Sequence, residues 1–284
     1  MTSTDADGGA QPEGDRATGQ TGAGAGPQVR GVLHPQGAAG RFTLEQPRPA
    51  AELGALVESY WTVRWDLRGR PAHEQKVLAH PQVHLVFEQP EAAVYGVDRG
   101  LFVRRLEGRG QVFGVKFRPG GFRPFWGRPV QELADRVVPA VDVLGAAVAG
   151  TARRVLELDD TPAMAALADA FLLARLPEPD PLVAEVAAMV DTATSDHTIV
   201  RVEQLAARCE VSVRTLQRLF AEYVGVGPKW VLRRARLQEA ALRADAGVVD
   251  WTLLAADLGY ADQAHLSRDF TAVVGLPPGR YARQ

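Results

Sequence analysis

The chain has 284 residues, with 32 Lys+Arg against 34 Asp+Glu for a formal net charge of −2, 46% hydrophobic residues and a single cysteine. The length and apolar content suffice for two ordinary domains with separate cores, and one thiol excludes an intramolecular disulfide framework or a thiolate metal cluster and fits a reducing, cytoplasmic compartment. The longest apolar runs, such as Val137 to Val143, stop far short of the roughly 20 residues of a membrane span, and a near-neutral total argues against a nucleic-acid protein if the chain is one electrostatic body.

Residues 1–28 are Gly, Ala, Thr, Asp and Gln with almost no large apolar side chain. Such a segment buries too little surface to offset its ordering entropy and reads as a disordered tail. It has neither the basic start nor the apolar middle of a signal peptide.

From residue 29 to 144 short apolar runs alternate with Gly and Pro. Leu56 to Trp65, Gln82 to Phe87, Ala93 to Val97 and Gln111 to Phe117 are rich in β-branched and aromatic residues at strand length. Their spacing predicts an antiparallel sheet closed into a barrel or sandwich. The proline-rich run from Pro119 to Pro129 reads as an ordered loop. Residues 145–180 read as a helical connector, and Pro162 and Pro181 stand where helices start. Residues 181–284 read as an all-helical domain. The expected fold class is therefore α+β: a β-rich N-terminal region, a connector, and an all-α C-terminal domain.

Self-comparison of the C-terminal domain reveals a repeat. Leu205-Ala206-Ala207 recurs as Leu254-Ala255-Ala256, Leu216 to Phe220 as Leu266 to Phe270, and Gly225 to Pro228 as Gly275 to Pro278; the offset moves from 49 to 50, one extra residue in the second copy's turn. Each copy is a short helix, a tight turn and a longer helix, the layout of a helix-turn-helix. In the first, at 202–225, Val202, Leu205, Ala206 and Cys209 share one helical face; Ser212 is a natural N-cap; Val213, Leu216, Phe220 and Tyr223 form the second stripe. In the second, at 251–275, Leu254, Ala255 and Leu258 form the first face, Asp262 the cap, and Leu266, Phe270 and Val273 the second stripe.

The opposite faces carry Arg214, Gln217 and Arg218 in one copy and Gln263, Ser267 and Arg268 in the other. Arg pairs bidentately with guanine, Gln with adenine, and Ser with a base edge or a phosphate, so these six residues are candidates for reading bases in the major groove. A purely solvated face more often shows Glu–Lys pairs at four-residue spacing. A linker helix at 228–245 spans about 24 Å over its central 16 residues and can hold the two units on successive major grooves. Trp230 and Leu237 mark its core side, and Arg233, Arg234 and Arg236 are phosphate clamps or solvated charge. Ser212, Thr215, Arg233, Arg234 and His265 complete the candidate DNA-backbone contacts.

These residues resemble the DNA-binding module of AraC/XylS-type transcription regulators. The resemblance rests on Ser212 to Phe220, on Arg236, Leu237 and Ala240, on Gly259 to Phe270, and on Gly275 to Pro278 with Tyr281. It implies a promoter-binding regulator with double-stranded DNA and RNA polymerase as partners. Position by position, the family's base-reading residues fall on the same six side chains. Glu210 departs from the family by standing where the first turn usually has a glycine, and Trp251 by standing where a smaller residue is common. The N-terminal half resembles an uncharacterised domain found ahead of this module, through Tyr60 to Trp65, His80 to Phe87 and Val112 to Phe122. Such regulators usually carry an effector-binding or dimerising second domain, so a small-molecule effector and a homodimer are expectations.

Tyr60, Trp61, Trp65, Phe117 and Trp126 either line an apolar effector pocket, with Arg118 or Arg123 orienting an anion, or simply form the core. His80 and His84 invite a metal site but lack companions at regular spacing; satisfied or exposed histidines are the simpler reading. No phosphate-binding loop occurs, and Cys209 sits on a buried helix face without a neighbouring His. The reading is a non-enzymatic regulator without cofactor or metal. The alternative is a cupin-like metal-dependent enzyme domain fused to a DNA-targeting module, and a third possibility is a constitutive regulator whose N-terminal half only dimerises. The charge balance then splits: residues 198–284 hold 12 Lys+Arg and 9 Asp+Glu, a net of +3, against −5 for the rest. A mildly basic reader is hidden behind an acidic partner, and its small surplus puts the weight of recognition on the base-reading faces.

Overall fold

The computed structural model describes residues 31–283 apart from 36, 39 and 248. The expected tail at 1–28 lies outside the described residues. The strands are β1 (Thr43–Glu45), β2 (Val57–Asp66), β3 (His73–Val77), β4 (His84–Phe87), β5 (Ala93–Tyr95), β6 (Phe102–Leu106), β7 (Arg109–Phe117) and β8 (Val137–Pro139), with helix α1 (Arg123–Trp126) between the last two. Six of them form one antiparallel sheet in the order β1-β2-β7-β4-β5-β8, and β3 pairs with β6 in a separate ribbon.

The sheet's two faces follow from the two-residue period of a strand. Tyr60 opposes Val115 and Thr62 opposes Phe113 in the β2–β7 register, which turns Tyr60, Phe113, Val115 and Phe117 to one face. Helices α2 (Ala140–Leu144), α3 (Ala147–Leu156) and α4 (Thr161–Leu173) cover that face. Val148, Ala152, Val155, Met164, Ala168 and Leu172 pack into the same cluster as Phe87, Phe113 and Phe117. Asp169 of α4 accepts hydrogen bonds from Tyr60 Oη at 2.6 Å and from the Ala50 amide at 2.9 Å. The segment read as a connector is therefore a layer of the N-terminal domain, because a sheet with one apolar face needs a helical cover to bury it.

The opposite face shows why two glycines stand in β7. A Cβ on Gly114 would lie 2.0 Å from the Trp61 ring, and one on Gly110 would lie 2.4 Å from that of Trp65. Trp61 Nε1 donates to His84 Nδ1 at 3.1 Å, and burial holds the His84 imidazole down at about 3, so it remains a neutral acceptor. We expect Gly114→Ala to push the indole off this seat and destabilise the domain by about 1–3 kcal/mol, read as a lower urea midpoint in full-length protein.

Helix α5 (Pro181–Ser195) begins the C-terminal helices, capped by Asp180 with Pro181 at its first turn. It is followed by α6 (Val202–Arg208), α7 (Val213–Leu219), α8 (Pro228–Asp245), α9 (Trp251–Asp257), α10 (Gln263–Val274) and α11 (Pro278–Tyr281). Two apolar clusters hold them. Val186, Leu205, Leu216, Phe220 and Val231 lie in the first; Leu237, Leu254, Leu266, Phe270 and Tyr281 lie in the second. Each also takes residues from the N-terminal region: Val97 enters the first, Leu33 and Leu78 the second. No helix among the described residues is long and apolar enough to cross a membrane.

Candidate nucleic-acid interface

Each helix pair is built by local rules. Ser212 Oγ accepts from the Thr215 amide at 3.1 Å and starts α7; Asp262 Oδ1 accepts from the His265 amide at 2.7 Å and starts α10. Both are N-caps that satisfy an otherwise orphaned helix amide. The turns before them need a left-handed residue. Gly259 supplies φ +68° in the second copy, and Glu210 adopts φ +55° in the first, so the turn keeps its shape without the expected glycine, against the preference of a residue bearing a Cβ. Both units also end on left-handed glycines, Gly225 at φ +94° and Gly275 at φ +82°.

With these caps and turns in place, Leu216 on α7 and Phe220 just beyond it point inward, as do Leu266 and Phe270 on α10. Arg214, Gln217 and Arg218 stand exposed on the other side of α7, and Gln263, His265 and Arg268 on that of α10, with Ser267 half-buried. Among the described residues Arg214, Arg218 and Arg268 make no ion pair. Gln263 Oε1 accepts from Thr252 Oγ1 at 3.1 Å, which ties the start of α10 to α9. Ser212 and Thr215 share a hydroxyl contact of 2.9 Å, and the His265 ring meets Tyr260 edge-on at 5.0 Å.

Helix α8 fixes the two units to each other. It has 18 residues, about 27 Å at 1.5 Å each. From it Arg233 donates through Nε and Nη2 to both carboxylate oxygens of Asp269 on α10, each at 3.1 Å. Tyr260 Oη also donates to Asp269, at 3.3 Å, and Tyr281 Oη donates to Asp245 at the far end of α8. Arg236 lies over the Tyr260 ring, 4.6 Å from its centroid.

A double helix-turn-helix with two capped, Arg-bearing outer faces and a bridging helix is now defined, and it matches known proteins. The family described as a helix-turn-helix domain covers residues 205–284, and a domain of unknown function (DUF6597) covers 45–139. A Streptomyces lividans protein named as an AraC-like transcription regulator is 37% identical over 82 residues, 29% of this chain and 27% of that protein. The C-terminal region is an AraC-type helix-turn-helix domain. An uncharacterised HTH-type transcriptional regulator of Haemophilus influenzae is 29% identical over 82 residues, 29% of this chain and 28% of its own length. The chain thus spans little more than a quarter of these curated relatives. ToxT of Vibrio cholerae is similar at 9% identity, covering 86% of this chain and 94% of its own, with a TM-score of 0.37.

Two expectations need correction. Arg234 is no phosphate contact in this arrangement, because it is 2% exposed. Its Nη2 donates to the carbonyls of Arg99 at 2.7 Å and Gly100 at 2.8 Å, in the N-terminal domain. Its guanidinium carbon lies 4.7 Å from the centroid of Trp230, and Nη1 has no hydrogen-bond partner among the described residues. Burial pulls this guanidinium down to about 10. Arg233, half-buried and tied to Asp269, positions α10 instead of standing free. Second, the five aromatics expected to line a pocket do not share one. Tyr60 and Phe117 are buried under α3 and α4, while Trp61 and Trp65 sit on the opposite face; the two-residue period separates neighbours Tyr60 and Trp61. Trp126 belongs to α1, donating from Nε1 to the Pro129 carbonyl at 3.3 Å under Arg128. Arg118 donates to the Gly54 carbonyl, and Arg123 pairs with Glu222.

That last pair belongs to a set of contacts the linear sequence concealed. Arg123 reaches Glu222 at 2.7 Å, just beyond α7 in the turn Phe220–Val224, and a Cβ on the following Gly225 would lie 3.1 Å from Val130. Gln238 of α8 donates to the Leu78 carbonyl at 2.7 Å. The N-terminal domain therefore holds the end of the first recognition unit and the bridging helix, and leaves the outer faces of α7 and α10 exposed. Each contact joins residues about a hundred or more positions apart, so no local spacing signals it. His80 precedes β4, and among the described residues no three His, Cys, Asp or Glu side chains stand so as to hold a metal ion.

Proposed function

We propose that this protein is a sequence-specific DNA-binding transcription regulator, acting in the cytoplasm, that reads two adjacent major grooves. The observation that carries this reading is the pair of exposed, matched faces on α7 and α10, held at a set separation by α8 and the Arg233–Asp269 bridge. In it, Arg214, Gln217 and Arg218 read one half-site and Gln263, Ser267 and Arg268 the other. Ser212, Thr215 and His265, at the starts of the two helices, lie against phosphates. The N-terminal domain grips α8 and the segment after α7, so a change in docking alters the relative placement of the readers; a small-molecule effector or dimerisation supplies that change, and RNA polymerase is the downstream partner. Any effector must favour one arrangement of the domains over another.

Genome-wide mapping of bound DNA tests the reading. The expected result is an enriched motif of two short half-sites about 10 bp apart, one turn of B-DNA. Enrichment no greater than that of a chain truncated before residue 205 would overturn it.

A further inference from the structure

Between the two regions lies a cavity of about 560 Å³, bounded on one side by Glu58 and Ser59 of β2, Lys116 of β7 and the segments flanking them, and on the other by α5 and α8. Its size lies within the range of small-molecule sites, about 300–1,000 Å³, and domain boundaries are a preferred place for them. None of the five aromatics first considered for a pocket lines it.

The cavity's walls differ in charge. On the sheet side Lys116 Nζ lies 2.6 Å from Glu58 Oε1, and Arg48 is exposed and makes no ion pair among the described residues. His80 and Gln82 also face the cavity from this side, and Gln82 donates to Glu58. On the helical side stand three carboxylates: Asp191 from α5, and Glu239 and Asp245 from α8. Asp191 is exposed and makes no ion pair among the described residues. Glu239 accepts from Arg243 at 2.8 Å and faces His197 at 3.9 Å, while Asp245 accepts from Tyr281 and faces His34 at 3.7 Å. Leu78, Val190, Ala235 and Leu242 supply apolar surface between the charged groups.

A ligand of one sign meets its opposite on one wall and its like on the other, and like charges brought together out of water cost several kcal/mol. A molecule with a carboxylate at one end and an ammonium at the other suits both walls. We propose that this cavity is the effector site and that its ligand is a zwitterion of the amino-acid or short-peptide class, with its carboxylate toward Arg48 and Lys116 and its ammonium toward Asp191 and Glu239. The proposal rests on the regulator reading above and deepens it. A ligand touching both walls binds only at the spacing they have when docked, so it stabilises docking by linkage. Because α8 also spans the two helix-turn-helix units, holding it against the sheet fixes the spacing of α7 and α10.

The test uses the full chain and a panel of free amino acids and dipeptides, with putrescine as a diamine control and succinate as a dicarboxylate control. Thermal unfolding reports ligand binding, and fluorescence anisotropy with the mapped operator reports DNA binding. The expected result is a raised unfolding midpoint with at least one zwitterion and little with either control, and a change in operator affinity within about 5- to 150-fold. Arg48→Gln and Asp191→Asn lie on the surface; each should unfold as the parent does without ligand and lose about tenfold in ligand affinity. A null panel, a control that matches the zwitterions, or ligand affinity unchanged in both variants overturns the proposal. In each of those cases intact operator binding leaves the regulator reading standing. Ligand-dependent stabilisation without any operator binding would instead overturn that reading.

Discussion

Arg218→Ala and Arg268→Ala are each expected to weaken operator binding by about 1–3 kcal/mol, roughly 5- to 150-fold, if they pair with base edges. Both side chains are exposed, on the side of α7 or α10 opposite its buried stripe, and neither makes an ion pair among the described residues. Truncation therefore removes no internal contact, and protein stability should stay within about 0.5 kcal/mol, as for other surface changes. Titration of operator variants separates two roles. Loss of a base contact relaxes the preference at one position, whereas loss of a phosphate contact weakens all sequences alike and lowers the salt slope by about 1. The two sites lie on separate helices without shared partners, so the double variant should show a nearly additive loss. Wild-type affinity in both single variants would remove the base-reading assignment.

Phe270→Ala is expected to cost about 3–5 kcal/mol of stability, the range for emptying a buried aromatic site. The ring is fully buried, with Trp251 6.2 Å and Tyr281 5.3 Å away between centroids, and it closes the cluster that also contains Leu254, Leu258 and Leu266. Its neighbour Asp269 receives Arg233 from α8, so loosening this core also frees the bridge that ties α10 to α8. Urea unfolding should show a lower midpoint. Operator affinity should fall to what the first unit alone supports, with sequence preference retained at the first half-site and lost at the second. Equal loss at both half-sites would mean that the two units unfold together through the long helix they share.

The contrast between the two helix-turn-helix units has a local cause and a distant one. Locally, Glu210 occupies a left-handed turn where its counterpart is Gly259, at which a Cβ would come within 2.4 Å of Val200. The second turn is thus confined by packing to a residue without a side chain, and the first is free to carry one. At a distance, α7 ends after seven residues and continues into the wider turn Phe220–Val224, whose Glu222 pairs with Arg123. Helix α10 continues regularly for twelve residues, and among the described residues its one ion pair, Asp269 with Arg233, runs to α8. The N-terminal domain consequently bears on the two units differently: through the Arg123–Glu222 ion pair at the end of the first, and through α8 and the apolar side chains of Leu33 and Leu78 at the second.

The sequence by itself determined the repeat, the caps at Ser212 and Asp262, the inward stripes and the outward Arg and Gln residues. All of these depend on helix periodicity and turn chemistry acting within about a dozen residues. It also determined the strands from Leu56 to Phe117 that alternate strongly, but not β1, β3, β6 or β8, which are three to five residues long and gain their pairing from neighbouring strands or from each other. The alternation of Tyr60 and Trp61 was available to separate those aromatics; what it did not reveal was which face the helices cover. Only the tertiary structure decided that α3 and α4 complete the N-terminal core, that Arg234 is buried beneath Arg99 and Gly100, and that the cavity lies between the sheet and α8 rather than inside the β-rich half. An exposed Arg and a buried Arg have the same sequence signature, because burial depends on what a distant segment brings against the side chain. For that reason the exposed Arg- and Gln-bearing faces could be named from spacing, while the contacts that position them required the fold.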